Sequence, residues 1–479
     1  MTSSRPAPTE EIAGGPAGRM AGGPLDAAEV ERLRARVARI MPGVRDDLER
    51  LVRIPSVSAP AGDPAQVRAS AALVAELLSA AGLPDVAELR AGDGAPAVVG
   101  RRPARDGAPT VQLYAHHDVQ PPGDPAAWTT PAFEPTERDG RLFGRGAADD
   151  KAGIMAHVAA LRALGDELGA GVTVFVEGEE EVGSPTFSRF LREQSDRLAA
   201  DVIVVADSTN WRVGVPALTT SLRGLVEACV TVSTLRQGIH SGMYGGPVPD
   251  AFTALIRTLD GLWDERGGVA VPGLVVGDES PLQYAEDQLR EDAGILDGVR
   301  LVGDGTITSR LWTRPAITVV GIDAPSVAAA SNTLAGSVRV KLSMRVAPGQ
   351  DTAAAFDALA AHLSASAPFG ARVDVVPVEH GRPFAGTTDG PVYDAARWAL
   401  TSAWGVEPVH MGVGGSIPFI AELQEVYPDA AVLVTGVEDP DARAHGPDES
   451  LHLGEFERAC VAETLLLAAL SRGPEVGTS

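Results

Sequence analysis

Only two cysteines, Cys229 and Cys460, occur in 479 residues. Neither a disulfide framework nor a thiolate zinc site can be built from them, so any metal site must use His, Asp and Glu; the scarcity fits a reducing cytosol. No run of about 18 apolar residues occurs, and no membrane-spanning helix is expected. Positive charge is the minority sign: 40 Lys and Arg stand against 64 Asp and Glu, a net charge of −24. That balance argues against nucleic acid or an anionic membrane as the main partner. The Gly-rich stretches lack a following Walker-type Lys-Ser/Thr, which argues against phosphate cradling. There are no internal repeats.

The length points to more than one packed unit, and a hydrophobic content of 44% is enough for sizeable cores. Residues 1–25, rich in Pro, Gly, Ala and Ser, read as a disordered leader. Helical periodicity covers residues 27–52, 66–81 and 151–164. Short apolar strands are expected at 110–115 (TVQLYA), 171–176 (GVTVFV) and 201–206 (DVIVVA). This alternation predicts an α/β sheet covered by helices.

The middle of the chain is patterned differently. Strands are expected at 224–233, 336–346 and 371–378, and helices at 249–262 and 351–363. Within 336–346, Val338, Val340, Leu342, Met344 and Val346 share one face while Arg339, Lys341, Ser343 and Arg345 share the other, the mark of a half-exposed antiparallel strand. The order suggests an inserted α+β sandwich of ferredoxin-like type. The first pattern returns after about residue 390, with helices over 393–404 and 451–471 and a strand at 430–435. The expected division is a leader over 1–25, a catalytic domain over 26–220 and 389–479, and an inserted lid or dimerisation domain over 221–388.

Acidic and histidine clusters fall at strand ends. His116-His117-Asp118 follows TVQLYA, Glu179-Glu180-Glu181 follows GVTVFV, Asp207 follows DVIVVA, and His445 lies beyond the strand AAVLVT. Asp149-Asp150-Lys151 sits in a Gly-rich turn opening a helix. In α/β sheets, ligands bind outside the carboxyl ends of strands. Imidazoles and carboxylates without thiolates suit a pair of divalent ions. Such a pair needs a bridging carboxylate and can acidify a shared water. A further carboxylate is then needed as general base and acid, and an acid two residues beyond a ligand histidine can orient its ring. Three adjacent acids after a buried strand would repel one another without a cation.

Seven strings occur in order: HHDVQPPGDPAAW, FGRGAADDKAG, EGEEEVGSP, ADS, HSGMYGG, GGSIP and AHGPDES. Together they resemble the dinuclear metallopeptidase family of cytosolic nonspecific dipeptidase, carnosinase, carboxypeptidase G and succinyl-diaminopimelate desuccinylase. The match runs from about residue 45 to the end and is nearest the dipeptidase branch through DVQP and HSGMYGG. The resemblance implies a zinc-exopeptidase-type domain with a central mixed sheet flanked by helices, two divalent ions per chain (zinc first, manganese or cobalt as alternatives), a small peptide or N-acyl amino acid as substrate, and a homodimer joined through the lid. It implies that His116 and Asp207 hold one ion, Glu181 and His445 the other, and that Asp149 bridges them. It further implies that Asp118 orients His116, that Glu180 is the general base and acid, and that the Asp149–Asp150 peptide is cis. His240 would hold the developing oxyanion from the second subunit. Arg345 and the Gly414-Gly415-Ser416 loop would hold the substrate carboxylate, and Asn332 would add a polar contact. The chain departs from the family pattern at Ala152, where a Gly is usual, and at Thr388–Pro391, where dipeptidases often carry a substrate-contacting His.

Blander readings stand beside these. His117, His157, His362, His380, His410 and His452 read as ordinary polar or core residues, and Glu179 as a bystander. Asp150 is the alternative bridge. Arg345 could be one more exposed residue beside Arg339 and Lys341. An N-acyl-amino-acid deacylase or desuccinylase on the same metals, and a metal-binding homologue without catalysis, are the competing functions. No role attaches to 281–308.

Overall fold

The computed structural model describes residues 24–60, 62–105, 107–415 and 418–472; residues 1–23 of the expected leader lie outside the described residues. Clustering of contacts divides the chain into two compact units. The first holds the described residues up to Leu218, Thr387–His410 and those from Glu422 onward; the second holds Thr219–Gly386 and the described part of Met411–Ala421.

The first unit is built on a six-stranded sheet in the order Asp85–Leu89, Ala97–Arg102, Gly171–Glu177, Thr110–His116, Val202–Val205, Ala431–Val434. The last four run parallel to one another and the first three are joined antiparallel, so the sheet is mixed. The parallel strands are continuous apolar runs because both faces are covered. On one face, Val111, Leu113, Ala115, Val172, Val174 and Val176 join a core built with the helices Ala27–Val52, Lys151–Leu164 and Leu453–Leu470. The alternate residues face the other way: Phe175 packs edge-on to Tyr114 and stacks on Phe190 of the helix Phe187–Glu193.

Local chemistry fixes the helix ends. Asp26 and Glu29 form a reciprocal capping box that starts the helix Ala27–Val52. At its C-terminus, buried Lys151 donates from Nζ to the Leu51 and Ile54 carbonyls at 2.9 and 2.8 Å, adding a charged donor to the helix end.

The second unit contains a four-stranded antiparallel sheet in the order Ala316–Asp323, Ser337–Val346, Gly224–Ser233, Arg372–Gly381. With the helices Ala251–Asp260 and Thr352–Ala365 this is a ferredoxin-like β-α-β-β-α-β order. Val338, Val340, Leu342, Met344 and Val346 all point into its core, and their neighbours on the same strand are exposed or half-buried. The strand Ala316–Asp323 has no counterpart among the sequence expectations. It is an edge strand with exposed residues from Thr318 to Asp323, so it lacks an alternating signal. Among the described residues no helix is long and apolar enough to cross a membrane.

Leu342 is fully buried at the centre of the second unit's core. Replacing it with Ala is expected to destabilise that unit by about 2–5 kcal/mol, read as a lower midpoint in urea denaturation with little change in the far-UV circular dichroism of the native state.

Candidate metal centre

His116 ends the strand Thr110–His116, which is flanked by parallel neighbours on both sides. Its ring is buried. Nε2 lies 3.0 Å from Asp149 Oδ1. Nδ1 lies 3.1 Å from the main-chain oxygen of Asp118 and 3.5 Å from its Oδ1, so the nearer orienting contact is to backbone. The next residue, His117, is equally buried, and its Nε2 meets the Pro96 carbonyl at 2.8 Å.

Asp149 sits in the Gly-rich turn before the helix Lys151–Leu164, and the peptide bond to Asp150 is cis. Its Oδ2 lies 3.0 Å from His445 Nε2, so one carboxylate spans two imidazoles that are far apart in the chain. Asp150 takes a different direction: its Oδ2 accepts the His116 backbone N–H at 3.2 Å. Gly153 makes room for it, since a Cβ there would stand 2.2 Å from Asp150 Oδ1.

Glu180 and Glu181 follow the strand Gly171–Glu177. Their backbone N–H groups donate to the two oxygens of Asp118 at 3.2 and 3.0 Å. Glu181 Oε2 approaches His445 Nε2 at 3.1 Å, and Glu181 Oε1 accepts the Gln120 N–H. Glu179 points elsewhere. It accepts the backbone N–H groups of Ala95 and Thr186, and so holds the turn rather than entering the cluster. Two groups have ligand atoms within 4.8 Å of one another: His116, Asp149 and Glu181, and His116, Glu180 and Asp207.

The electrostatics follow from crowding. Burial pushes the Asp207 carboxyl up to about 7, with Asp149 and Glu181 adding to it and His116 opposing. Burial and then Asp207 raise Glu180 and Asp150 well above the usual carboxylate range. Burial also acts on Asp149, but the hydrogen bonds from His116 and His445 outweigh it and hold that carboxyl low. The carboxylates of Asp149 and Glu181 hold the His445 imidazole up at about 11. By contrast, burial draws His117 down to about 4. Two imidazoles do not balance Asp118, Asp149, Asp150, Glu180, Glu181 and Asp207; a pair of divalent cations would offset most of that charge. The donor set of imidazole nitrogen and carboxylate oxygen fits such ions.

In the second unit, His240 is exposed, and its Nδ1 accepts the Gly242 N–H. The two-residue strand Ile239–His240 pairs with Thr333–Leu334, and Asn332 O accepts the Ser241 N–H, so His240 and Asn332 lie together. Arg345 is half-buried opposite Leu225, near the guanidinium of Arg223, which donates from Nε to the Gly414 carbonyl. Gly415 is half-buried in the following bend, and Ser416 lies outside the described residues.

A family model described as "Peptidase family M20/M25/M40" matches residues 112–469. The chain is 38% identical over 386 residues, 78% of this chain and 84% of the other, to a cysteinylglycine-S-conjugate dipeptidase of Corynebacterium striatum. The chain belongs to peptidase family M20/M25/M40. This M20 chain is also 28% identical to a beta-Ala-His dipeptidase of Rattus norvegicus, over 77% of this chain and 79% of that one. Its fold is that of the di-peptidase Dug1p from Saccharomyces cerevisiae, with TM-score 0.76, 21% identity, and coverage of 94% of this chain and 100% of that one.

Two acids at the M20 site carry no expectation from the sequence. Glu438 follows the strand Ala431–Val434; burial raises its carboxyl well above the usual range, with Asp149 and Asp207 adding to the effect. An acid beyond a parallel strand end was the available signal. Glu449 is fully buried, bonded to Arg145 and to the turn that carries Asp149. It lies inside the AHGPDES string, but nothing in the string says which amides it meets. The remaining histidines are structural: His157 pairs with Glu463, His362 meets the Gly261 carbonyl, His380 packs on Phe356, His410 meets Tyr393 edge-on, and His452 caps the helix Leu453–Leu470.

Elemental analysis of the purified protein should find two divalent ions per chain. After chelation the thermal midpoint should fall, and added zinc, manganese or cobalt should restore it; a ligand at about 100 times its Kd stabilises by about 2.7 kcal/mol. A midpoint indifferent to all three ions would remove the metal reading.

Proposed function

We propose that this M20 chain is a dinuclear metal-dependent dipeptidase that cleaves the peptide bond of small substrates bearing a free carboxylate. The observation that carries the reading is the Asp149 carboxylate lying 3.0 Å from both His116 Nε2 and His445 Nε2. The two relatives, both dipeptidases that this chain matches over more than two thirds of their length, support the substrate class. His116 and Asp207 would hold one ion, Glu181 and His445 the other, with Asp149 shared; zinc suits this donor set, and manganese and cobalt are the alternatives. When bound, such a pair lowers the pKa of water and polarises a carbonyl.

The chain's own groups do the rest. Asp118 keeps the His116 ring turned and, through two backbone N–H groups, fixes where Glu180 and Glu181 begin. Glu180 takes the proton of the attacking water and delivers it to the leaving amine nitrogen. Arg345 and the Gly414-Gly415-Ser416 loop bind the substrate carboxylate, where a guanidinium fork gives two parallel hydrogen bonds. The exposed His240, with Asn332 beside it, would serve the oxyanion of a second copy in a homodimer joined through the second unit. The cysteine usage supports a cytosolic location.

Replacing Glu180 with Gln should lower kcat by about 10²–10⁴-fold while elemental analysis still finds two ions. A panel of dipeptides and N-acyl amino acids supplies the second test: dipeptides are expected to be turned over, and hydrolysis of the acyl compounds alone would overturn the reading.

A further inference from the structure

Arg145 and Glu449 form an ion pair that solvent barely reaches, 1% and 0% exposed at the side chain, joining positions 304 residues apart. Arg145 Nη1 donates to Glu449 Oε2 at 2.6 Å. The same carboxylate accepts three backbone N–H groups: Gly146 at 3.1 Å on Oε2, and Ala148 at 3.1 Å and Asp149 at 3.2 Å on Oε1. Both oxygens are thus directed into the turn that delivers Asp149. The other guanidinium nitrogen, Nη2, donates to the carbonyls of His445 at 2.9 Å and Gly446 at 3.2 Å.

The loop it grips is strained. Arg443, His445 and Asp448 all have positive φ, at 55°, 64° and 56°. Non-glycine residues keep such angles only where their surroundings hold them. Asp448 is tied to Thr129, and His445 to Arg145 through its carbonyl. A carboxylate shared between two cations tolerates little misplacement, on the order of 0.5 Å. Asp149 and His445 arrive on loops with no regular secondary structure of their own, so something must register one loop against the other.

We propose that Glu449, paired with Arg145, is a positioning residue of the metal centre: its carboxylate locks the turn that bears Asp149, and through Arg145 it fixes that turn against the loop bearing His445. This rests on the reading of Asp149 and His445 as metal ligands. Glu449 does not ligate, because its oxygens are occupied by four donors. Charge and acceptor-only character are both required. An amide in its place would turn an NH₂ toward N–H groups or toward the guanidinium. Groups that orient ligands from behind are worth about 10–100-fold in metal affinity when removed.

The test is E449Q beside D439N. Asp439 is a second buried acid of the same loop region, bonded to Arg141 at 3.1 and 2.9 Å, and it touches none of the amides of the Asp149 turn. Zinc dissociation constants, measured by competition with a chromophoric chelator, are compared with the thermal midpoints of the metal-free proteins. E449Q is expected to bind zinc about 10–100-fold more weakly, and D439N to melt earlier yet bind zinc as the unaltered protein does. Equal affinity in E449Q and the unaltered protein overturns the proposal, as does an equal loss in D439N, which would mean general loosening. If E449Q does not fold, R145K decides: it keeps the charge but loses the second nitrogen's hold on the His445 carbonyl, and unchanged affinity overturns the proposal. An unaltered protein that binds no zinc, manganese or cobalt would sink the metal reading itself, and this inference with it.

Discussion

The repulsion among carboxylates gathered at one edge of a sheet is the constraint that organises the first unit. Asp118, Asp149, Asp150, Glu180, Glu181 and Asp207 stand within a low-dielectric rim where like charges resist ionisation together. The topology delivers them there. The strands Gly171–Glu177, Thr110–His116, Val202–Val205 and Ala431–Val434 are neighbours and parallel, so their carboxyl ends share one edge. Each strand is buried by apolar residues up to its last turn and then releases a polar one. The same hydrophobic pressure that forms the sheet therefore places the acids, and divalent cations would make the gathering tolerable.

Much of this was legible because the chemistry is local to strand ends. His116, Glu180, Glu181 and Asp207 each follow an apolar run within a few residues, and the helix Lys151–Leu164 that supports Asp149 falls at the residues its periodicity indicates. The helix Ala27–Val52 and the strand Gly224–Ser233 also coincide with their patterns. What escaped was of two kinds. The strand Ala316–Asp323 is an edge strand open on both faces over most of its length, so burial leaves no imprint on its sequence. Glu449 and Glu438 escaped for another reason: an acid in a loop reads as solvated until the fold brings distant amides or acids to it. Glu179 shows the same limit. Its grip on Ala95 and Thr186 depends on chain segments that no string names.

The adjacent pair His116 and His117 separates burial from environment. Both rings are inaccessible to solvent. Strand alternation sends them to opposite sides. One meets carboxylates and is held well above the usual imidazole range, although burial opposes this; the other meets a lone carbonyl, and burial takes it down to about 4. A histidine's role at such a rim is thus decided by which face its register gives it. A one-residue slip of the strand Thr110–His116 would turn the His116 ring to the face away from the carboxylates.

Register of that kind is secured by main-chain hydrogen bonds more than by the clustered side chains. Asp118 accepts two N–H groups from the 180–181 turn, Asp150 accepts the N–H of His116, and Gly436 passes so close to Ser208 that a Cβ would fall 1.4 Å from its carbonyl oxygen. These contacts fix the backbone from which each clustered side chain departs. They explain how residues separated by most of the chain can converge to about 3 Å without any one of them lying in a long rigid element. The imidazoles and carboxylates state which chemistry is available. The acceptors behind them decide whether those side chains stand close enough to perform it, and a site copied by its clustered side chains alone would lack that half of the construction.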